Sequence, residues 1–393
     1  MMNNISLTKG VYYVGAVDWD QRDFHGYATG RGVTYNSYLI VDEKVCLVDA
    51  VKAPFAEEFI DRIKSIIDPS KIDYIVINHV EPDHSSALPQ LMALAPNAKV
   101  VLTAHGKTEV LKYYQQEYDF MVVKEGDSIS LGQRNLSFIP LPMIHWPDSM
   151  ACYLDGDNIL FSNDAFGQHL CTSKRFDDEV DMYLALEEAG KYYANILMPF
   201  NKLVAKALPK IKALDIKIIA PSHGVCWRGG IEEIFKKYEK WSHNNNEDKV
   251  IIVYDSMWGA TEKMARMILD GVASTGVTAS LYRVNKTELS EVMAQLLESK
   301  GIIIGSSTHN NSVLKTIGGF LTYLQGLKPT GKLCTSFGAY GWAGGADKTL
   351  AEVLAKTDME VEPGLFVKWT PDKVEINQCF EFGVAFGEKI LNK

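Results

Sequence analysis

The chain has 393 residues, 47% hydrophobic and 23% charged, which implies two globular domains with full cores, or three as the weaker alternative. A net charge of -9 excludes a protein that works by coating phosphates, so no nucleic-acid partner is expected. No apolar run approaches the roughly 18 residues of a membrane span, and residues 1–10 lack the basic start and apolar core of a signal peptide, so the expected location is the cytoplasm, away from any membrane.

The first half opens β-rich. Residues 36–41 and 45–48 read as paired strands around the turn Asp42-Glu43-Lys44, and 55–67 has helical spacing. Residues 72–78, IDYIVIN, form the continuous apolar run of a strand buried on both faces. Further strands are expected at 99–102, 136–139, 158–162 and 217–220, with helices between them, which makes a β-rich α/β layered domain. The polar run WSHNNNEDK at 241–249 reads as a linker and divides the chain into domains 1–245 and 249–393.

The second half alternates more regularly. Strands at 250–254, 279–283, 302–305 and 333–337 are each followed by a helix, at 261–274, 288–297, 317–324 and 347–355. This rhythm predicts a doubly wound parallel sheet. The six cysteines, Cys46, Cys152, Cys171, Cys226, Cys334 and Cys379, are scattered without a CxxC pair, as expected of reduced thiols, and supply no four-cysteine iron site.

Two constellations carry chemistry. The strand at 72–78 runs into His79-Val80-Glu81-Pro82-Asp83-His84, and three later strand ends bring His145, Asp164 and His223. Strand ends are where α/β proteins place their sites. Four imidazoles and three carboxylates exceed the needs of one ion, so two are implied, and Asp164 is the natural bridge. All the donors are nitrogen or oxygen, which suits iron or manganese and leaves zinc open.

The second constellation begins where the strand at 250–254 meets Asp255. The loop Ser256-Met257-Trp258-Gly259-Ala260-Thr261 leads into a helix and could cradle a phosphate with hydroxyls and backbone N–H groups. No lysine follows Gly259, so it is not a Walker loop. Two more loops converge on it in such a fold. One holds Ser307, Thr308, His309, Asn310 and Asn311. The other holds Gly338, Ala339, Tyr340, Gly341, Trp342 and Gly344, whose glycines and aromatics could cover a flavin ring.

Together these motifs resemble the flavodiiron protein family, the A-type flavoproteins, over nearly the whole chain. The pattern H-x-E-x-D-H, then H, D and H, is met without a gap, amid HWPDSM, NDAFGQH, APSHG, YDSMWGATEKMA and FGAYGWAGG. The resemblance implies a metallo-β-lactamase-like αββα domain followed by a flavodoxin-like FMN domain. It implies one iron on His79, Glu81 and His145, a second on Asp83, His84 and His223, and Asp164 between them. Some members lack a ligand at the position of His84; it is present here. The pattern departs at Ser307, where proline is common, and at His309, where an apolar residue is. With no rubredoxin module before Lys393, the chain resembles the short class.

The implied activity is reduction of O2 to water or of NO to N2O. Two ferrous ions and reduced FMN together hold the four electrons that O2 requires, which accounts for the fusion. An external donor is implied, rubredoxin by default or a reduced deazaflavin, and a head-to-tail homodimer or dimer of dimers in which flavin and iron meet across the two-fold. His25, Tyr193 and Trp146 are the pocket residues this suggests. Two other readings stand beside it. One is a dizinc lactamase-like hydrolase with an accessory flavodoxin domain, opposed by Glu81 where such enzymes carry histidine. The other is a flavodoxin-type electron carrier with structural metals.

Overall fold

The computed structural model describes residues 5–393 and divides into two compact units. The first comprises the chain up to Phe24, Thr29–Tyr192 and Lys202–Tyr238; the second comprises His25–Ala28, Tyr193–Asn201 and Glu239–Lys393. The first four residues of the run read as a leaderless N-terminus lie outside the described residues.

The first unit is a two-sheet sandwich. One sheet runs β1 (Ile5–Thr8), β2 (Val11–Tyr13), β3 (Tyr38–Val41), β4 (Val45–Val48), β5 (Ile72–Val76), β6 (Lys99–Leu102) and β7 (Phe120–Val122), side by side in that order. It is antiparallel up to β4 and parallel from β4 to β7. The other runs β8 (Ser128–Ser130), β9 (Asn135–Pro140), β10 (Met150–Leu154), β11 (Ile159–Asn163) and β12 (Ile218–Pro221), with only its last pair parallel.

Period-two alternation explains why the central strands β3 and β4 carry apolar residues on both faces. Tyr38, Ile40, Cys46, Val48, Val76 and Val101 point between the sheets, where Phe138, Cys152, Leu154 and Phe161 meet them. Leu39, Leu47, Ile75, Val100 and Leu102 point the other way, against Phe59 and Ile63 of the helix Ala56–Lys64 and Leu88 and Leu91 of the helix Leu88–Met92. A strand with two dry faces must be hydrophobic on both.

The second unit is a six-stranded sheet, parallel throughout. β13 (Glu247–Asp255) lies between β14 (Thr278–Arg283) and β15 (Ser299–Ser306), followed by β16 (Leu333–Tyr340) and β17 (Glu360–Val361), with β18 (Leu365–Lys368) also against β16. The reversal of strand order at β13 and β15 is the switch point at which such sheets bind ligands.

The doubly wound sheet is as expected, and several element bounds differ. β5 stops at Val76 rather than Asn78, because the buried Asp49 carboxylate takes the Asn78 N–H at 2.7 Å and ends the ladder. The expected linker shrinks to residues 243–246: Ile231–Ser242 is helix and β13 already begins at Glu247. The helix expected from residue 261 starts at Ala260. The long C-terminal helix Lys373–Leu391, opened by an Asp372/Glu375 capping box, was not anticipated, since its apolar stripe is narrow.

That last helix locks the phosphate-loop helix Ala260–Ser274 in place. A Cβ on Gly383 would sit 2.3 Å from the Ile268 carbonyl, and one on Gly271 2.1 Å from the Phe380 carbonyl. The obstacle is backbone, so only separation of the helices relieves it. Gly383→Val should destabilise the second unit by about 1–3 kcal/mol and loosen flavin retention. Urea unfolding followed with the flavin signal measures this; an unchanged midpoint would show that the helices part freely.

Candidate metal centre and flavin loops

Four segments of the first unit deliver the donors. Residues 77–81 leave β5 carrying His79 and Glu81, and the short helix Pro82–Ser85 carries Asp83 and His84. His145 lies between β9 and β10, Asp164 directly after β11, and His223 two residues after β12. All seven expected ligands converge, and they fall into two groups: His79, Glu81, His145 and Asp164, then Asp83, His84 and His223.

Asp164 belongs to both by distance. Its Oδ2 is 3.8 Å from His79 Nε2 and 3.4 Å from His145 Nε2, while its Oδ1 is 3.1 Å from His84 Nε2 and 3.4 Å from His223 Nε2. Glu81 Oε2 closes the first group at 3.2 Å from His79 Nε2 and 3.3 Å from His145 Nε2. Asp83 Oδ2 closes the second at 3.4 Å from His84 Nε2 and 3.3 Å from His223 Nε2. Ligands about 2.1 Å from one ion stand roughly 3.0–3.4 Å from each other, so each group has the edge lengths of a coordination shell.

The chemistry of the donors fits cations. The carboxylate oxygens of Asp83 and Asp164 are buried and accept no hydrogen bond. Buried charge so exposed to its neighbours costs several kcal/mol unless a counter-charge meets it. Burial would raise the Asp164 carboxyl, but the imidazoles of His84 and His145 hold it well below the carboxylate range. Burial opposes charge on His84 as well, yet Asp83 and Asp164 push it up to about 9.

The far nitrogens are oriented from behind. His79 Nδ1 pairs with Asp148 Oδ1 at 2.9 Å, and Asp148 Oδ2 accepts the Val80 N–H at 2.7 Å. His223 Nδ1 donates to the Thr34 carbonyl at 2.6 Å. Both contacts turn Nε2 toward the site. Asp148 was not singled out from the sequence, although it lies within HWPDSM; only its return to His79 across the fold reveals it. Trp146 packs edge-on to His79 with ring centroids 4.9 Å apart. His169, also missed, stacks edge-on to His223 at 4.9 Å.

Of the three suggested pocket residues, His25 and Tyr193 group with the second unit, whereas Trp146 and the seven donors lie in the first. His25 holds a left-handed φ of 59°. Tyr193 is fully buried, donates to Asn201 Oδ1 at 2.8 Å and stacks on Trp241.

The flavin loops do converge at the switch point. No side chain caps the helix at Ala260, which leaves its first-turn N–H groups for an anion. The Thr261 and Ser307 hydroxyls meet at 2.9 Å, Ser307 Oγ lies 3.4 Å from the Met257 N–H, and Ser256 Oγ accepts the Gly259 N–H at 3.1 Å. Asn310 and Asn311 both take left-handed φ, 48° and 60°, in a turn closed by His309 and Ser312. Asparagine tolerates that conformation. Thr308 N–H bonds the Ala339 carbonyl at 2.9 Å, tying the middle loop to β16. A Cβ on Gly338 would meet the Ser306 carbonyl at 2.1 Å, so that contact demands glycine. Trp258 and Trp342 are 94% and 83% exposed, and Trp369, not anticipated, lies 6.0 Å from Trp342. Met257, Tyr340, Gly341 and Gly344 belong to the same two loops. Large aromatics so bare around an anion loop suit a flat ring.

A lactamase-type sandwich with a two-metal donor set, joined to a flavodoxin-type sheet, defines an oxidoreductase that couples a flavin to a metal pair. Residues 33–224 match the model of the ODP family beta lactamase, and 252–383 that of flavodoxin. The chain is 45% identical to a nitric oxide reductase of Moorella thermoacetica, with all of both chains covered. It is 41% identical to an anaerobic nitric oxide reductase flavorubredoxin of Escherichia coli, over 97% of this chain and 81% of that one. The solved flavodiiron protein of Giardia intestinalis superposes with a TM-score of 0.97 at 36% identity, covering 100% of this chain and 98% of its own. The rubredoxin oxygen:oxidoreductase of Desulfovibrio gigas also gives 0.97, at 35% identity and 99% coverage of both. The chain belongs to the flavodiiron protein family, whose cofactors are a diiron centre and FMN.

Two outcomes follow from the geometry. Asp148→Asn keeps an acceptor for His79 but removes the charge, so metal affinity should fall about 10-fold to 100-fold. Chelator competition with cobalt measures it, and an unchanged affinity would rule out a role for that charge. A metal must also displace the proton that His84 holds up to about 9. His79 and His145 are raised too, so at about pH 8 loading of metal-free protein should release protons from these imidazoles, and the release should fall as pH rises past the His84 value. Indicator-dye titration reads it.

Proposed function

We propose that this chain reduces dioxygen to water, nitric oxide to nitrous oxide, or both. The observation that carries the reading is the position of Asp164, one oxygen in each donor group, with Glu81 where a dizinc hydrolase has histidine. In this assignment His79, Glu81 and His145 would hold one iron and Asp83, His84 and His223 the other, with Asp164 offering an oxygen to each. The three loops, from Ser256 to Thr261, Ser307 to Asn311 and Gly338 to Gly344, hold FMN. Bound together, the irons and FMN supply the four electrons that O2 takes, or the two that convert a pair of NO molecules to N2O and water.

The chain's own residues prepare that site. Asp148 and the Thr34 carbonyl fix the His79 and His223 rings, and the added carboxylate Glu81 favours iron over zinc by its negative charge. His25 and Tyr193 are assigned to the choice between gases. The domains are taken as 1–245 and 249–393, acting in the cytoplasm. Rubredoxin is the proposed donor, the partner for which the Desulfovibrio gigas relative is named; a reduced deazaflavin is the second choice. A head-to-tail homodimer, alone or paired, is proposed to bring the flavin of one chain to the irons of its partner.

Purified protein should carry about two irons and one FMN per chain, and after full reduction without oxygen it should consume added O2 or NO in stopped flow. Near-stoichiometric zinc with hydrolysis of a lactam or phosphodiester would end the redox reading. Glu81→His should shift loading toward zinc and suppress gas consumption; unchanged iron content and rate would show that the carboxylate does not select the metal. For the dimer, a chain with its metal site broken (His79→Ala, Asp164→Ala) is co-expressed with one whose flavin loop is broken (Ser256→Asp, Thr261→Asp). The isolated mixed dimer should be active, with one intact cross-chain site. An inactive mixed dimer containing both cofactors would place transfer within one chain.

A further inference from the structure

Acids bracket the phosphate loop. Asp255 precedes it as the last residue of β13, and Glu262 follows it in the first turn of the helix Ala260–Ser274. Asp255 is buried, with Oδ1 accepting the Ser256 N–H at 2.8 Å and Oδ2 the Thr316 hydroxyl at 2.7 Å. A buried anion under a loop meant for a phosphate opposes that ligand strongly, because little water lies between them to screen it. The loop itself, residues 256–261, contains no cation.

One cation answers both acids, and it comes from the neighbouring strand. Arg283 ends β14, where it is the register partner of Tyr254 on β13. Its Nε donates to Asp255 Oδ1 at 3.2 Å, its Nη1 to Glu262 Oε2 at 3.4 Å, and its Nη2 to the Ser256 carbonyl at 2.9 Å. The other Glu262 oxygen takes Arg266 at 2.8 Å. The guanidinium thus spans the loop from its entry to its exit, and a sheet strand fixes where it sits. A planar fork can make these diverging bonds at once; a lysine ammonium on a flexible stem presents no such fork.

We infer that Arg283 is the positioning residue of the FMN phosphate site. It cancels the Asp255 charge, ties the two ends of the loop, and through the Ser256 carbonyl holds the loop in the shape that accepts a phosphomonoester. The inference rests on the FMN reading above, and it concerns the phosphate rather than the ring. Riboflavin has the same ring and no phosphate, so it separates the two.

The test uses the full chain freed of flavin and titrated with FMN and with riboflavin, reading flavin fluorescence. Wild type should bind FMN far more tightly than riboflavin. Equal binding would remove the phosphate-loop reading, and this inference with it. Arg283→Gln should weaken FMN by about 10-fold to 100-fold and riboflavin by less than about 3-fold. A variant that keeps the wild-type preference for FMN overturns the role of Arg283 and leaves the phosphate loop standing. Equal loss of both flavins also overturns it, since Arg283 would then only support the fold. Asp255→Asn added to Arg283→Gln should restore most of the FMN affinity, because the acid that needed neutralising is gone. No recovery in a double variant with a wild-type circular dichroism spectrum overturns the charge-cancelling role.

Discussion

Asp164 is the residue on which the first unit turns. Its two oxygens lie within 3.1–3.8 Å of four imidazole nitrogens in two separate groups. A carboxylate in that position is buried and accepts no hydrogen bond. Only positive charge on both sides makes the arrangement tolerable, as protonated histidines in the bare protein or as a pair of cations in the working one. The two groups share this one side chain, so anything that moves the end of β11 moves both at once.

The sandwich is built to prevent such movement. β5 and β11, whose ends bear ligands, lie in different sheets, and both contribute to the shared core, through Val76 and Phe161. Asp49 pins the start of the ligand segment by taking the Asn78 N–H, and it does so from the end of the adjacent strand β4. Burial pushes its carboxyl up to about 6, against the pull of His84 and the Asn78 hydrogen bonds. The ligands thus stand at the ends of close-packed strands.

The flavin unit meets the opposite electrostatic problem. Its ligand is an anion, and the fold offers a bare helix end and hydroxyls instead of a lysine. Acids flank that loop, and the compensating cation ends the neighbouring strand. In both units a charged group at a strand end is balanced by a residue from another segment of the chain, His79 by Asp148 and Asp255 by Arg283.

The alternation of the second half, the spacing of the seven metal donors and the three converging loops were all legible from the chain alone. They are local patterns: a donor run such as His79 to His84 sits within a few residues of one strand end, and a βαβ rhythm repeats in order. The grouping of those donors into two sets, with Asp164 between them, was legible only through the family resemblance; spacing alone could not give it, because His145, Asp164 and His223 come from three strand ends of one sheet and the others from its partner, and the distances that define the sets are tertiary. Asp148 and Arg283 were invisible for the same reason. An aspartate in HWPDSM or an arginine ending a strand has an ordinary surface reading until folding sets it 2.9 Å from a histidine or a loop carbonyl. Donor type and order are properties of the chain; the distances at which charges balance one another arise only when separate strands are packed together.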